Sequence, residues 1–291
     1  MSEVQPIVTS KDAIRERFSV AANEWAATYA EPASRTLTVK NLLARQRFVL
    51  QLVTTELPPG AHILDIGCGP GEMAAKLMEC GYDVWGIDIA EPMVRHAQER
   101  CGVDQFRVAD MEHLPFPDAS FDGIVCLGVI EYLEADRAAL SEMRRVLKPA
   151  GVALIATPSA ACPLYHIDRI ALAAQPLYDF LKYRLRGRRA PDRPHQGYGR
   201  KYRRGPWLRS LRANGLEPNA WLCYGWGWHN TRLGALVDRL SRGVDAIGRT
   251  LARVLGRGLL DRAGGALARS RLVNWMAFEQ LVRVRSVKYP P

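Results

Sequence analysis

Between residues 61 and 159 short apolar runs alternate with amphipathic stretches in a regular rhythm. AHILDIG reads as a strand, GEMAAKLMECG as a helix closed by glycine, and YDVWGIDI as a second strand. EPMVRHAQERCG then has helical spacing, QFRVAD reads as a third strand and SFDGIVCLGVI as a fourth. ADRAALSEMRRVLKP reads as a helix ending before proline, and GVALIATPS as a fifth strand. Strands this continuously apolar, separated by helices, predict a doubly wound, mostly parallel α/β sheet covered on both faces.

The flanks follow other patterns. Residues 10–31 and 35–56 have helical spacing, with Phe18, Trp25, Leu42, Phe48 and Leu52 set among polar positions. After Ser159 the rhythm loosens into a helix near 164–183, a basic Gly- and Pro-rich loop and a short helix over 206–214. A strand (NAWLCYGWGWH), an amphipathic stretch over 231–262 and a last alternating strand (MAFEQLVRV) complete the chain. The expected divisions are 1–58, an N-terminal helical lid; 59–160, a cofactor-binding core; and 161–291, a substrate-covering region.

The turn between the first strand and the first core helix is GCGPGE, with Gly67, Gly69 and Gly71 free of side chains. A glycine turn at that edge lets a ligand approach the backbone closely. Asp88 closes the second strand, 17 residues past Gly71, where a carboxylate can accept both ribose hydroxyls. Asp110 closes the third strand, and its neighbour Met111 is placed to flank an adenine. Glu72 follows the glycines directly and would repel a pyrophosphate, so the loop suits a nucleoside without phosphates. Adenosine carrying a zwitterionic methionine fits, with Asp65 close to the amino group.

The runs ILDIGCGPGE, GIDIAEPMV, ADMEHLPFPDASFDGIVCLGVIEYLE and MRRVLKPAGVALIATPS together resemble a class I S-adenosylmethionine-dependent methyltransferase. More narrowly, they resemble the group that includes the ubiquinone- and menaquinone-pathway (type 11) methyltransferases. FSVAANEWAATYAE is similar to that group's N-terminal helix over the cofactor. The resemblance implies a Rossmann-like seven-stranded sheet, a helical lid and a helical insertion before the last strand. It implies S-adenosyl-L-methionine as cofactor, with Gly67, Gly69 and Gly71 as the loop and Asp65 as the water-linked contact to the amino group. It further implies Asp88 on the ribose, Ile89 packed on the adenine, Asp110 and Met111 at the adenine edge, the Leu127 carbonyl on the methionine part, and Tyr29 at the carboxylate from the lid.

Methyl transfer from a sulfonium needs in-line positioning first and a base only where the acceptor is protonated. Relatives often carry Glu-His after the fourth strand, whereas this chain has Glu131-Tyr132. The candidates for acid–base or orienting roles are therefore His113, beside the third strand, His166 and His229 in the covering region, and Tyr132 itself. Asp118 and Asp122 read as structural turn acids, and Trp25 is balanced between lid contact and helix packing.

Charge refines the picture of partners. The chain carries +10, but residues 182–204 hold ten basic groups against one acid and residues 232–271 nine arginines against three acids. The remainder is therefore net acidic. The 231–262 stretch is a basic amphipathic helix, suited to an anionic membrane, to a second copy or to packing on its own domain. Residues 224, 226 and 228 (Tyr, Trp, Trp) share one strand face, either an aromatic wall or ordinary packing. A lipophilic quinone-, polyketide- or lipid-like acceptor, methylated on oxygen or carbon, is the leading expectation. RNA on the 182–204 segment comes second, and a cofactor-holding module without turnover third. The polar N-terminus lacks a secretory h-region, and the six cysteines lack metal-like spacing. A cytoplasmic protein with buried free thiols and no metal is expected, peripheral on the inner membrane face if the amphipathic stretch meets a membrane.

Overall fold

A computed structural model describes residues 10–30, 37–160, 199–224 and 279–286. Two long helices open it, α1 (Lys11–Ala30) and α2 (Leu37–Glu56). The core follows as β1 (His62–Ile66), α3 (Glu72–Glu79), β2 (Asp83–Asp88), α4 (Glu91–Cys101), β3 (Phe106–Val108), β4 (Phe121–Leu127), α5 (Arg137–Val146) and β5 (Leu147–Pro158). A further helix, α6 (Arg204–Ala213), leads into β6 (Leu216–Tyr224), and β7 (Glu279–Ser286) is the last element.

The seven strands form one sheet in the order β3-β2-β1-β4-β5-β7-β6. Strands β1 to β5 are parallel neighbours, and β7 runs antiparallel between β5 and β6. The strand order reverses at β1 and β4, which opens a crevice beyond their carboxyl ends.

Alternation along each strand builds two apolar layers. Leu64, Ile66, Ile124, Cys126, Ala153 and Ile155 face α5 and α6, where Leu140, Met143, Trp207 and Leu211 are buried. Ile63, Val84, Val125 and Leu154 face the other way, onto Val49 and Val53 of α2, Leu77 of α3 and Val94 and Ala97 of α4. Burying each such side chain contributes roughly 1.5–3 kcal/mol. Helix α1 lies outside this layer on α4, with Ala22 buried against Ala90 and Met93 and with Phe18 and Trp25 packed alongside. His96 of α4 joins the same seam through Asn23 at 3.0 Å.

The expected core elements all form, with shifted ends. The helix expected to end just before Pro149 stops at Val146, and the chain enters β5 at once, pairing Leu147 with Phe121 before Gly123 meets Val152. Lys148, held before a proline, is disfavoured in helix, and Ala150 turns through φ 63. The third strand is only three residues long. The five cysteines among the described residues are free thiols, but they are not all buried: Cys68 and Cys126 are, Cys101 and Cys223 are half-buried, and Cys80 is exposed at the end of α3. The helix expected near 164–183, the amphipathic stretch 231–262 and most of the basic loop lie outside the described residues. No helix among the described residues is long and apolar enough to cross a membrane.

Candidate functional site

The crevice is floored by the turn after β1. The Gly67 and Cys68 amides both donate to the Ile87 carbonyl, at 2.8 and 2.9 Å, which folds the turn against the end of β2. Gly71 has φ +78, and a Cβ there would lie 2.8 Å from the Cα of Ala97, so α3 and α4 meet only because it is absent. Gly69 has φ +51 and nothing within 4 Å of a would-be Cβ, so it faces open space. One glycine thus serves packing and the other leaves the backbone bare.

Asp88 closes this floor. One carboxylate oxygen accepts the Gly69 amide at 3.0 Å and the other the Ala90 amide at 2.9 Å. Burial pushes its carboxyl up, and these backbone donors oppose the shift. The residue expected on the ribose therefore also holds the glycine turn in shape. Ile89 next to it is partly exposed.

Asp65, one strand position from the turn, is 3% exposed, and its Oδ2 has no hydrogen-bond partner. Burial pushes its carboxyl up to about 7, the Asp88 charge adds to this, and the Arg45 guanidinium opposes it. Such a group awaits a cation. Arg45 comes from α2, and its Nη1 and Oε1 of the buried Glu131 both lie beside Gly128. A Cβ on Gly128 would sit 3.2 Å from the first and 3.4 Å from the second. Gly128 directly follows Leu127, the last residue of β4, and donates its amide to the Ala156 carbonyl. A carboxyl, a guanidinium and a second carboxyl thus lie together where β1 and β4 end.

Glu131 sits on a single 3-10 turn, Ile130–Tyr132. The backbone of Gly199 lies on its side chain, where a Cβ would come within 2.5 Å of the Glu131 Cγ, and the Arg200 amide donates to its carbonyl at 2.7 Å. Arg200 pairs with Asp136, and the Tyr202 hydroxyl donates to Asp136 at 2.8 Å. Tyr132 packs edge-on against Phe18 of α1, with centroids 5.2 Å apart and the Arg17 guanidinium 5.7 Å from its ring.

The adenine edge is less open than expected. Asp110 accepts the Glu112 amide at 2.9 Å on Oδ1 and the Lys11 ammonium on Oδ2. Burial pushes its carboxyl up, but the Lys11 and Glu112 hydrogen bonds outweigh that and hold it below its usual range. The Met111 side chain is buried in the core. His113 is exposed on a turn closed by its amide on the Asp110 carbonyl. The backbone of Tyr29 lies in the last turn of α1, its side chain outside the described residues, as are His166 and His229. Asp118 and Asp122 are structural, paired at 2.9 Å with Arg145 and Lys148 respectively. Among the described residues no group of three or more His, Cys, Asp or Glu is arranged to hold a metal ion.

Arg45, Gly128 and Gly199 escaped the reading of the sequence. Arg45 looks like one more polar position of an amphipathic helix, and no local pattern pairs it with a turn 83 residues later. Glycine after β4, with φ +76, was the only local sign of a close approach there.

Residues 64–155 match the family model described as Methyltransferase domain. The chain is 38% identical over 96 residues to a malonyl-[acyl-carrier protein] O-methyltransferase of Erwinia pyrifoliae, spanning 33% of this chain and 37% of that one. It is 36% identical over 135 residues to the ubiquinone/menaquinone biosynthesis C-methyltransferase UbiE of Bordetella avium, spanning 44% and 49%. The chain therefore spans less than half the length of these curated relatives. Magnesium protoporphyrin IX methyltransferase of Synechocystis PCC 6803, solved with bound SAH, shares the fold at TM-score 0.60 and 15% identity, covering 95% of this chain and 100% of its own. The [4+2]-cyclase SpnF shares it at TM-score 0.59 and 18% identity, covering 97% and 98%. The resemblance to S-adenosylmethionine-dependent methyltransferases holds, and the mixed seven-stranded sheet is theirs. The fold does not select the reaction by itself, since a cyclase shares it.

Proposed function

We propose that this chain, whose residues 64–155 belong to the methyltransferase domain family, transfers a methyl group from S-adenosylmethionine to an oxygen or carbon of a lipophilic small molecule. The observation that carries the cofactor reading is the buried Asp65 with its unpartnered Oδ2, one strand position from the bare glycine turn. A dinucleotide would offer phosphates to that turn, where Glu72 stands, ion-paired to Arg100 at 2.8 Å. A sulfonium amino acid offers an ammonium instead.

When bound, S-adenosylmethionine supplies an electrophilic methyl on a neighbouring cationic sulfur. Asp65 receives the ammonium, Arg45 the carboxylate and Asp88 the ribose hydroxyls. Ile89, Asp110 and the Met111 backbone border the adenine. Helix α1, packed on α4 and reaching Tyr132 through Phe18, keeps water from the crevice. Holding an acceptor in line with the methyl supplies about 7–11 kcal/mol of the barrier reduction, more than a base adds. The Glu131 carboxyl lies beside Gly128 at the end of β4, so a protonated acceptor would give its proton there rather than to the exposed His113.

Both oxygen and carbon acceptors fit the reading, since the relatives named above are an O- and a C-methyltransferase. The basic segment supports RNA less, because Arg200 and Tyr202 at its end are engaged on Asp136. The amphipathic stretch 231–262 is proposed to rest on an anionic membrane, where a greasy acceptor resides, or on a second copy; flotation with anionic liposomes separates the two.

Calorimetric titration with S-adenosylmethionine and with NAD tests the cofactor. Micromolar binding of the first alone is expected, and binding of NAD alone would overturn the reading. Incubation of a cell extract with methyl-labelled cofactor tests the acceptor: label should enter the solvent-extractable fraction, and label in RNA would favour the rival.

A further inference from the structure

Asp65 and Asp88 are two carboxyls at the ends of adjacent strands, and they are furnished unequally. Asp88 receives two backbone amides, at 3.0 and 2.9 Å. Asp65 is enclosed between β2 and β4, in register with Gly86 and Val125, and its Oδ2 receives no donor. The other groups that act on it are Arg45 from α2, which favours its charge, and Asp88 from β2, which disfavours it. The thiols of Cys68 in the turn, Cys101 on α4 and Cys126 on β4 also feel its charge, and all three are held up in their neutral form. Enclosure penalises the Asp65 charge first, Asp88 adds to the penalty and Arg45 alone opposes it, so a proton on Asp65 relieves the cost of burial.

We infer that the ammonium of the methionine moiety takes the place of a proton on Asp65, so that cofactor binding releases one proton to solvent. The inference rests on the cofactor reading above. The balance is simple: a neutral carboxyl and an ammonium become a carboxylate–ammonium pair and a free proton. Arg45, already facing the ligand's carboxylate, does not take part in the exchange. Affinity then falls as pH drops below about 7, by about tenfold per pH unit, because the ligand must displace a proton that is held more firmly.

The test is calorimetry of the full chain with S-adenosylhomocysteine, which keeps the ammonium, and with 5′-methylthioadenosine, which lacks it. Each titration is run at pH 6 and pH 8 in two buffers of unequal ionisation enthalpy, which counts protons directly. S-adenosylhomocysteine should release about one proton at pH 6 and about a tenth of one at pH 8. 5′-methylthioadenosine should bind with no such release, and Asp65→Asn should bind S-adenosylhomocysteine more weakly and without release. Binding of both nucleosides with no proton released at pH 6 would overturn the inference and leave the cofactor reading standing. So would an Asp65→Asn variant that releases as many protons as the wild type. If that variant does not fold, the comparison of the two nucleosides on the native chain decides alone. Binding of neither would overturn both readings together.

Discussion

Lys11, the first residue of α1, is ion-paired to Asp110, the residue just beyond β3 that the sequence places at an adenine edge. The same ammonium reaches Glu112. A helix otherwise held on α4 by Ala22, Phe18 and Trp25 is thereby pinned at its N-terminus to the cofactor crevice. The hydrogen bonds that Lys11 donates to Asp110 and Glu112 raise its ammonium above its usual range, while burial opposes them. Because the Asp110 carboxyl is depressed, its contribution is complete above the ordinary carboxylate range and fades only as pH falls through that range.

Lys11→Met should therefore loosen the start of α1 over the whole neutral range. The lysine is 42% exposed, so the pair contributes only about 0.5–1 kcal/mol. Dissociation of S-adenosylhomocysteine should accelerate about two- to fivefold in dilute buffer, read by stopped flow. In 1 M salt the wild type should approach the variant. Equal rates at low salt would mean that the pair does not hold the lid.

Asp88→Ala removes more than a ribose contact. The carboxylate organises Gly69 and Ala90, so its loss frees the glycine turn as well. Affinity for S-adenosylhomocysteine should fall by about 1.5–3 kcal/mol, as for a lost charged hydrogen bond. Asp88→Asn, which keeps an acceptor for only one of the two amides, should fall between. An unchanged dissociation constant in the alanine variant would remove Asp88 from the ribose.

Gly71→Ala places a methyl 2.8 Å from the Ala97 Cα in a left-handed backbone. The neighbour is main chain, so it has no side chain to turn aside. Destabilisation of about 1–3 kcal/mol is expected from overpacking, with further strain from the positive φ. Urea unfolding should show a lower midpoint with an unchanged slope. At Gly69 the surroundings are open, so alanine there should cost less stability and more cofactor affinity. Equal stability losses at the two sites would refute the division of labour between them.

The contrast between those glycines also marks what was legible in the chain. Strand-length apolar runs with helical intervals gave the order of elements from His62 to Pro158, since burial on both faces leaves a pattern that survives any loop. The strand ends carried the acids, so position alone singled out Asp65 and Asp88 as candidates, and the structure sets both beside the glycine turn. The ends of α5 and β5 shifted because tertiary pairing of Leu147 with Phe121 outweighed local helix propensity. Arg45 was hidden because its partner surface is created only when α2 crosses the end of β4. Tyr132 stood where a histidine was sought, yet its ring is engaged with Phe18 from a helix over a hundred residues earlier. Contacts of that kind leave no periodicity to read.

Asp65 carries a cost when no ligand is present, and its sign can be worked out. The carboxyl titrates near 3.9 in an unfolded chain and at about 7 in the folded one. Between those values the folded state holds a proton that the unfolded state has lost, so stability declines as pH rises through the window. Above it, the ligand-free fold carries a buried charge. Asp65→Asn removes that charge but leaves an amide in the same enclosed place, a penalty that does not vary with pH. The difference in unfolding free energy, variant minus wild type, should therefore grow between pH 4 and pH 8 by on the order of 3 kcal/mol. Urea titrations of the ligand-free proteins at the two pH values measure it, with the variant gaining relative to the wild type at pH 8. A difference that stays constant would mean that Asp65 is already ionised at pH 4, and that its site is furnished for an anion before any cofactor arrives.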